Sequence, residues 1–487
     1  MKGWQFAIII MAISVSARAS SLDTAHGLPS ESTAKTVLNS TPRHREWVSV
    51  AVGSNAILAF VVYPERADKA PVIVVTEKNN GATTWIRAVS DQVAAEGFIA
   101  VVPELLTGLG PGGGDADSFR SRQAASQALA KLGREEIRRR INAVRAYAIA
   151  LPAATGESAN MELDRAAGRI ATGRDNFALD SKGWHEAIAY LNAQTNNHPV
   201  FAANQYQDEH AEHYAMMAIA RQSARPSPSI QIALGEKRPD LPAHIYTAKS
   251  TLANSKLRKE WVEIPVGDAK LRMWVEYPEG NGKTGVVIVM QHGTGLDDWM
   301  RSVADQIAHE GYIAVAPDIW SGTGPNGGGR DSFQFDDDAM KTAARIGPTE
   351  TQRRYKAAWE WAMKLPRANG KSGTIGFCAG GGNSFQFAGE VPELSAAVVF
   401  YGTPPSEEIM ARIKAPVLGF YGENDARVTS TVEPTIAAMK RLGKSFEPHI
   451  YPKTTHSFVL FQDIAANQEA LKDAWPRAMA FFKQNLK

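Results

Sequence analysis

The chain contains the same pattern twice, which constrains its fold more than any other feature. Residues 46–152 align with residues 260–366 at a constant offset of 214 residues, without a gap, and about two residues in five are identical. In each copy, apolar runs of strand length alternate with helical patterns, as at residues 72–75 and 87–96. Strand, helix and strand at this interval predict parallel βαβ units. The sequence therefore predicts a duplicated α/β fold with a doubly wound, mostly parallel sheet.

Length and composition bound the class of protein. A chain of 487 residues suits two or three domains, and 44% hydrophobic with 21% charged residues is ordinary for globular proteins. The net charge of +2 gives no strong attraction to nucleic acid or to anionic membranes. No nucleic-acid motif is present, so a small molecule is the expected partner.

The first residues have the pattern of an export signal. Lys2 is followed by an apolar run at residues 6–15, which is too short to span a bilayer, and Ala17-Arg18-Ala19 matches a small-residue cleavage site. We expect residues 1–19 to be a signal peptide, and the mature protein to be periplasmic or extracellular and free of the membrane. Residues 20–44 are polar and small, which predicts a disordered lead-in.

The two copies diverge after Pro152 and Pro366. The second continues into an apolar strand and a further set of strands and helices. The first is predicted to carry an insertion and then a strand at residues 168–173, with Gly173 near the position of Cys378 and no nucleophile at the tip. We expect a degenerate half-domain at 45–222, a linker at 223–255 and an intact catalytic domain at 256–487. The half-domain is expected to pack on the second copy, either as a lid or as a pseudo-dimer partner.

Cys378 is the single cysteine of the chain, within Gly-Phe-Cys-Ala-Gly-Gly at 376–381. A strand that turns sharply into a helix, with glycines where side chains would collide, is typical of a nucleophile elbow. A lone cysteine is otherwise most often a small buried hydrophobe. In an exported protein structural cysteines come in pairs, which favours a working thiol here.

A nucleophile needs a base and an acid that orients it. Asp425 follows a strand pattern at 415–421, and His456 follows another at 446–451. Both are predicted at carboxyl ends of strands, where open α/β sheets place their sites, and they follow the thiol in the order acid and then His. Glu423, in the same loop, is the rival candidate for the acid.

Two backbone N–H groups are expected to form an oxyanion hole. One belongs to Ala379, the residue after the thiol, and the other to Gly293 in the Gln-His-Gly-Thr-Gly loop after the strand at 286–290. The first copy has Glu-Lys-Asn-Asn-Gly in place of that loop, so four of the five residues that would shape the hole differ there.

Residues 256–487 resemble the dienelactone hydrolase family, also called carboxymethylenebutenolidases, and the resemblance extends weakly to the first half of the first copy. The motifs that carry it are the Gly-x-Cys-x-Gly-Gly elbow, the Gly-x-x-Asp loop at 422–425 and His-Ser-Phe at 456–458. The resemblance implies that Cys378 attacks an ester or lactone carbonyl, that His456 moves the proton and that Asp425 orients His456.

Two positions depart from the family pattern. The founding enzymes carry a Glu where His292 stands, and an Arg that binds the substrate carboxylate where Leu460 stands, so dienelactone itself is not the expected substrate. We expect the substrate to be bound by His292 and by Trp320, which begins the loop at 320–333. The alternative is a non-catalytic binding protein on a duplicated hydrolase scaffold.

No cofactor or metal is expected from the sequence. His210 and His213 have a spacing that suits a metal, but no third ligand accompanies them.

Overall fold

The structure is a computed structural model that describes residues 28–41, 43–197, 240–462 and 464–487. The predicted signal peptide, most of the predicted linker and the pair His210 and His213 lie outside the described residues. In the described ranges, no helix is both long enough and apolar enough to cross a bilayer.

The first copy forms a seven-stranded sheet in the order β1-β2-β4-β3-β5-β6-β7. Its strands are β1 Arg45–Val52, β2 Asn55–Val62, β3 Ala70–Glu77, β4 Ile99–Pro103, β5 Ala154–Asp164, β6 Arg169–Thr172 and β7 Asp175–Ala178. Strands β3, β4 and β5 run parallel, whereas β6 and β7 form an antiparallel edge.

The second copy forms an eight-stranded sheet in the order β15-β14-β13-β12-β10-β11-β9-β8. Its strands are β8 Arg258–Val266, β9 Ala269–Tyr277, β10 Thr284–Met290, β11 Ile313–Asp318, β12 Ala368–Phe377, β13 Ala396–Phe400, β14 Val417–Asn424 and β15 Phe446–Thr455. Strands β10 to β15 run parallel, and β9 pairs antiparallel with β8 and β11.

Helices cover the sheets. The helices described are α1 Glu31–Ser40, α2 Thr84–Ala95, α3 Arg122–Leu132, α4 Arg134–Ile149, α5 Ser181–Gln194, α6 Ala248–Asn254, α7 Asp298–His309, α8 Asp336–Ala362, α9 Ala379–Glu390, α10 Glu407–Met410, α11 Ala426–Thr429, α12 Val432–Arg441 and α13 Ala465–Asn485.

The central strands of the second sheet are buried on both faces. Side chains of β10, β12 and β13 alternate between two apolar clusters, one on each side of the sheet. A parallel sheet covered by helices on both faces has this continuous apolar pattern. The predicted fold class, a doubly wound α/β sheet in two copies with the first truncated, is confirmed.

The alignment of the two copies extends further than the sequence pattern predicted. Pairing of β3 with β5 begins at Ala70 and Ala154 with one register shift, and pairing of β10 with β12 begins at Thr284 and Ala368 with the same shift at the matching place. No insertion separates the copies before this strand, so the strand predicted at 168–173 is not the equivalent of β12. The equivalent is β5.

This register corrects the position assigned to Gly173. At the constant offset, Asp164 at the end of β5 corresponds to Cys378, so a carboxylate does stand at the strand tip of the first copy. Gly173 lies instead in the turn between β6 and β7, with φ +64°. The chain leaves β5 through an antiparallel hairpin and not through a helix, which ends the first copy's hydrolase pattern.

The segment predicted as a disordered lead-in contains a helix. Ser30 begins α1 with a capping box, in which its side chain accepts from Thr33 N–H and the Thr33 hydroxyl accepts from Ser30 N–H. Ala34, Val37 and Leu38 on one face of α1 pack into the apolar cluster of the first copy. Burial of this face stabilises α1, which the mostly polar composition of residues 20–44 did not predict.

The last part of the predicted linker is also packed. Leu241 and Tyr246 belong to the apolar core of the second copy, and Trp299 Nε1 donates to the carbonyl of Ala243 at 2.9 Å. Residues 240–254 therefore lie on the second copy.

The two copies pack against each other through α8. Met340 from this helix is buried in the apolar cluster of the first copy. Trp47 Nε1 donates to Asp337 at 3.3 Å, and Lys341 Nζ donates to Asp117 at 2.6 Å. These contacts bring the start of β1 to the carboxyl ends of the second sheet.

Candidate active site

Cys378 occupies a sharp turn between β12 and α9. Its backbone has φ 55° and ψ −118°, a strained conformation for a residue with a side chain. A Cβ on Gly376 would lie 1.9 Å from the carbonyl oxygen of Gly380, and one on Gly380 would lie 2.2 Å from that of Met290. The glycines are therefore required for the close approach of the backbone, as in a nucleophile elbow.

Asp425 and His456 meet beside this turn. Asp425 follows β14, His456 follows β15, and these strands are parallel neighbours, so their ends lie at one edge of the sheet. His456 Nδ1 lies 2.6 Å from Asp425 Oδ2, and both residues are buried. Glu423, the rival acid, accepts instead from the backbone N–H of Lys453 at 2.8 Å.

The other ring nitrogen of His456 faces the thiol region. Cys378 Sγ and one ring nitrogen each from His456 and His44 all lie within 4.8 Å of one another. His456 Nε2 is buried and has no hydrogen-bond partner among the described residues. An imidazole oriented by a carboxylate, with its free nitrogen beside a thiol, is the arrangement of a general base and its nucleophile.

His44 is a site residue that the sequence analysis did not identify. It lies immediately before β1 in the first copy, and its Nδ1 is 3.6 Å from Cys378 Sγ. The rings of His44 and His456 meet edge to face with centroids 4.7 Å apart. Behind His44, Nε2 is 3.6 Å from Glu46 Oε2, and the Tyr63 hydroxyl donates to the same carboxylate at 2.8 Å.

A weak signal for His44 exists in the repeat. The Glu and Tyr partners recur in the second copy, where the Tyr277 hydroxyl donates to Glu260 at 2.9 Å. At the offset of 214, however, the position of His44 is occupied by Arg258. A histidine that breaks the repeat beside a repeated pair could have been noticed, but the alignment gives no reason to place it near Cys378.

The charges of this group support an ionised thiol. Burial alone would raise the pKa of Cys378, but the charges of His44 and His456 and the hydrogen bond from His44 to the sulfur hold this pKa well below its ordinary value. Burial likewise opposes protonation of His456, yet the carboxylate of Asp425 and the sulfur of Cys378 raise the pKa of His456 to about 9. A thiolate paired with an imidazolium is the form these shifts favour near neutral pH.

The two predicted oxyanion donors follow neighbouring strands. Met290 pairs with Gly376 at the ends of β10 and β12, so Gly293 and Ala379 each stand three residues beyond a paired position. Ala379 begins α9, and a Cβ on Gly293 would point into open space. Their joint action as an oxyanion hole stays a prediction.

His292 is held within its own loop. Its Nε2 lies 3.0 Å from Asp297 Oδ2 and 2.9 Å from the Thr294 hydroxyl, and its ring packs on Trp299. Burial would raise the pKa of Asp297, but His292 lowers it well below its ordinary value. These contacts fix the loop after β10, and a direct contact of His292 with substrate stays a prediction.

Trp320 is buried beneath the same loop. It has 1% of its surface exposed, and a Cβ on Gly295 would lie 2.4 Å from its ring. The ring also meets Phe333 edge to face. These contacts make Trp320 a support for the loop after β10, and its substrate-binding role stays a prediction.

The corresponding place in the first copy is filled by ion pairs. Asp164, at the position of Cys378, accepts from Lys78 Nζ at 2.8 Å and lies 3.6 Å from Arg169. Glu77 pairs with Arg165. A carboxylate fixed by two cations leaves no thiol or hydroxyl nucleophile at this strand tip.

Comparison with known proteins agrees with these observations. A family model described as "Dienelactone hydrolase family" matches residues 57–158 and 271–486. A Saccharolobus solfataricus protein named "Putative carboxymethylenebutenolidase" is 30% identical over 228 residues, covering 41% of this chain and 88% of its own. "Protein usf" of Aquifex pyrophilus is 30% identical over 212 residues, covering 41% and 88%. The crystal structure of a dienelactone hydrolase from Anabaena variabilis aligns with 23% identity and a TM-score of 0.39, covering 48% of this chain and 100% of that one.

Proposed function

The chain belongs to the dienelactone hydrolase family and is a hydrolase of the ester and lactone type, and from that premise we propose that it cleaves a small ester or lactone with Cys378 as nucleophile. The observation that carries the proposal is the contact of His456 Nδ1 with Asp425 Oδ2 at 2.6 Å, with the other ring nitrogen facing the thiol region. The three groups have the order and the roles of a nucleophile, a base and an orienting acid.

Acylation starts from the thiolate. The sulfur of Cys378 attacks the carbonyl carbon of the substrate, a carbon–sulfur bond forms, and the carbonyl oxygen becomes an oxyanion. The N–H groups of Gly293 and Ala379 donate to this oxygen, and loss of one such donor typically costs about 2.7–4 kcal/mol. When the intermediate collapses, the alkoxide leaves and takes the proton of His456 Nε2.

Deacylation reverses these roles with water. His456 Nε2, now neutral, accepts a proton from a water molecule as the water oxygen attacks the thioester carbon. The carbon–sulfur bond breaks, the acid product leaves, and Cys378 returns as a thiolate beside the imidazolium. For a lactone substrate the released hydroxyl and carboxylate are parts of one molecule, so the same steps open the ring.

His44 supports the thiolate in this scheme. Its Nδ1 is 3.6 Å from the sulfur, and it comes from the first copy. This assigns the degenerate copy a positioning role: it supplies a second imidazole that holds the negative charge of Cys378 between two rings. The backbone contact of Ala426 N–H with the carbonyl of Arg66, at 2.9 Å, fixes the same junction beside Asp425.

The proposed substrate class depends on position 460, where the chain has Leu460 and not a cationic side chain. Leu460 is buried in the apolar core of the second copy and offers no charge for a substrate carboxylate. Because this position supplies no cation for a substrate carboxylate, the proposed substrate is a neutral ester or lactone and not an anionic dienelactone. Export of the protein through residues 1–19 is part of the proposal, and the N-terminal residue of protein recovered from outside the cytoplasm, Ser20 if cleavage follows Ala19, tests it.

The activity is tested with a panel of neutral and anionic esters and lactones. We expect the wild type to hydrolyse short p-nitrophenyl esters, and Cys378→Ala to lose this turnover. Wild-type turnover by Cys378→Ala would exclude the thiol mechanism. Total inactivity of the wild type across the panel would instead favour a binding protein.

Alkylation tests the role of His44 separately. Because the chain has a single cysteine, iodoacetamide labelling reports on Cys378 alone. The labelling rate increases with pH as the thiol of Cys378 ionises. We expect the midpoint, the pH at half-maximal rate, to rise by ~1 unit in His44→Gln, because an opposite charge within a few ångströms shifts a pKa by about that amount or more. The matched control is His185→Gln, an exposed histidine in the first copy whose Nδ1 lies 2.6 Å from the carbonyl oxygen of Ser181. An unchanged midpoint in His44→Gln would remove His44 from the scheme.

A further inference from the structure

The thiol of Cys378 lies beside two imidazoles, those of His44 and His456, whereas the acyl chemistry requires only one. We infer that Cys378, His44 and His456 bind a borderline-soft divalent metal ion, Zn²⁺ above all, and that the bound ion reversibly blocks hydrolysis. The binding stands on geometry alone, whereas the block rests on the proposed function, because it needs Cys378 to be the nucleophile.

The distances suit a tetrahedral ion. Zn–S bonds are ~2.3 Å and Zn–N bonds ~2.0–2.1 Å, so a sulfur and a nitrogen on one tetrahedral ion are ~3.6 Å apart. Cys378 Sγ and His44 Nδ1 are 3.6 Å apart. The three ligand atoms all lie within 4.8 Å of one another, so His456 needs a shift of less than ~1.5 Å to complete the triangle.

Each histidine is backed by a carboxylate. His456 Nδ1 lies 2.6 Å from Asp425 Oδ2, which leaves Nε2 toward the cluster, buried and without a hydrogen-bond partner among the described residues. His44 presents Nδ1 to the sulfur, and its Nε2 lies 3.6 Å from Glu46 Oε2. Metal-binding histidines commonly hold their second ring nitrogen against a carboxylate, which fixes the tautomer and makes the ligand more basic.

The donor set selects the kind of metal. One thiolate and two imidazoles suit Zn²⁺, whereas Mg²⁺ and Ca²⁺ prefer oxygen ligands. Three protein ligands leave a fourth position, which water can take. On binding, the imidazolium of His456 loses its Nε2 proton to solvent, and the thiol of Cys378 and the ring of His44 do the same where they still carry one. One sulfur–zinc bond and two nitrogen–zinc bonds form, and no electron is transferred.

The bound ion would prevent attack on a carbonyl. The lone pair of sulfur that forms the new carbon–sulfur bond is engaged by the metal, and His456 Nε2 can no longer exchange a proton. Because His44 comes from the first copy and the other two ligands from the second, the ion would also tie the copies together. At the offset of 214 the position of His44 is Arg258, so the repeat does not create a second such site there.

The experiment is a Zn²⁺ titration of the full chain by calorimetry after dialysis against a chelator, with Co²⁺ absorption as a second readout. We expect one equivalent of Zn²⁺ to bind, and Co²⁺ to give the charge-transfer band of a thiolate ligand. His44→Gln is expected to weaken binding by at least ~10-fold. The matched control is His309→Gln, a surface histidine that also faces a carboxylate, Asp305, at 3.5 Å; it is expected to bind as the wild type does.

A second variant keeps the test decisive if His44→Gln fails to fold. Glu46→Gln retains both imidazoles and removes the carboxylate behind His44, and it is expected to weaken binding by ~10–100-fold. Unchanged Zn²⁺ affinity in His44→Gln or in Cys378→Ala would overturn the site, and so would the absence of binding by the wild type.

Hydrolysis is measured in parallel with chelator and with Zn²⁺. Inhibition that follows the calorimetric occupancy supports the proposal, and full turnover at saturating Zn²⁺ overturns the block. If Zn²⁺ binds with the expected variant pattern while Cys378→Ala keeps its turnover, the proposed function fails and the metal site stands. If turnover needs Cys378 but no Zn²⁺ binds, the metal site fails alone.

Discussion

Replacing Asp425 by Asn tests the link between the acid and the base. Asp425 and His456 are both buried and meet at 2.6 Å, and Asn keeps the shape while removing the charge. The pKa of His456 stands at about 9 against an ordinary 6.5. This upward shift of the pKa corresponds to ~3 kcal/mol, which is the net preference of the site for the imidazolium.

This energy sets the size of the expected loss. Asp425 and Cys378 share the stabilisation of the ring, with Asp425 the larger contributor. Loss of the whole ~3 kcal/mol would lower kcat/KM by ~160-fold, and loss of half of it by ~13-fold. We expect Asp425→Asn to fall between these bounds on a short p-nitrophenyl ester at pH 8.

The pH profile gives a second, independent readout. The imidazolium of His456 is present below its raised pKa and is lost as the pH rises through about 9. In Asp425→Asn the pKa of His456 falls, so we expect the alkaline limb of kcat/KM to move to lower pH by ~1 unit or more. Initial rates measured at a series of fixed pH values from 5 to 10 give both the acid limb and the alkaline limb of kcat/KM.

The matched control is Glu423→Gln in the same loop. Glu423 accepts from the backbone of Lys453 and does not contact His456, so we expect kcat/KM within ~2-fold of the wild type. A wild-type rate and profile in Asp425→Asn, with a large loss in Glu423→Gln, would refute the assignment of the acid.

Two further variants test the packing, and a third tests whether the first copy can catalyse hydrolysis. Lys341→Met removes a buried cation from Asp115 and Asp117, which keep Arg345 and Arg87 as partners, and we expect urea unfolding to show a loss of ~1.5–3 kcal/mol. A cost no larger than that of the exposed control Lys472→Met, ~0–1 kcal/mol, would contradict this. Gly376→Ala places a Cβ 1.9 Å from backbone and should cost ~3 kcal/mol or more by the same assay, against little change for Gly282→Ala, which has open space; equal stabilities would refute the elbow argument. The double variant Asp164→Cys, Cys378→Ala moves the single cysteine to the strand tip of the first copy, and we expect it to give no hydrolysis of a short p-nitrophenyl ester. Any recovered turnover would show that the first copy is catalytically competent.

The repeat and the strand patterns were sufficient to predict the fold class. Both copies show strand and helix periods in the same order, and β10 and β12 are apolar enough to identify. The loops with Asp425 and His456 were predicted at strand ends because each follows an apolar run that turns into polar residues. The elbow was predicted from its glycines, whose backbone contacts need no knowledge of the rest of the chain.

The first copy was harder because β5 has no clear apolar period. Residues 155–160 are mostly polar, so the sequence pattern predicts the strand at 168–173, within the hairpin, and does not point to Asp164. Similarly, α1 is polar on most of its surface and is stabilised by one buried face. Local pattern is a weak guide where a segment takes its stability from tertiary packing.

His44 could not be predicted because its contact spans the two copies. It is 334 residues away from Cys378 in sequence and reaches the thiol only through the packing of α8 and β1. The orientation of two packed surfaces is not encoded in the period of either one. For the same reason the sequence predicted no metal site, since one of the three ligands lay in a presumed lead-in.

The most direct test of the central claim is the mass of the chain quenched in acid during turnover of a p-nitrophenyl ester. Deacylation of a thioester is the slow step expected for such a good leaving group, so the acyl-enzyme should accumulate. We predict one added acyl group, located by peptide mapping on Cys378 and absent in Cys378→Ala. An acyl group on another residue, or undiminished turnover in Cys378→Ala, would contradict the account.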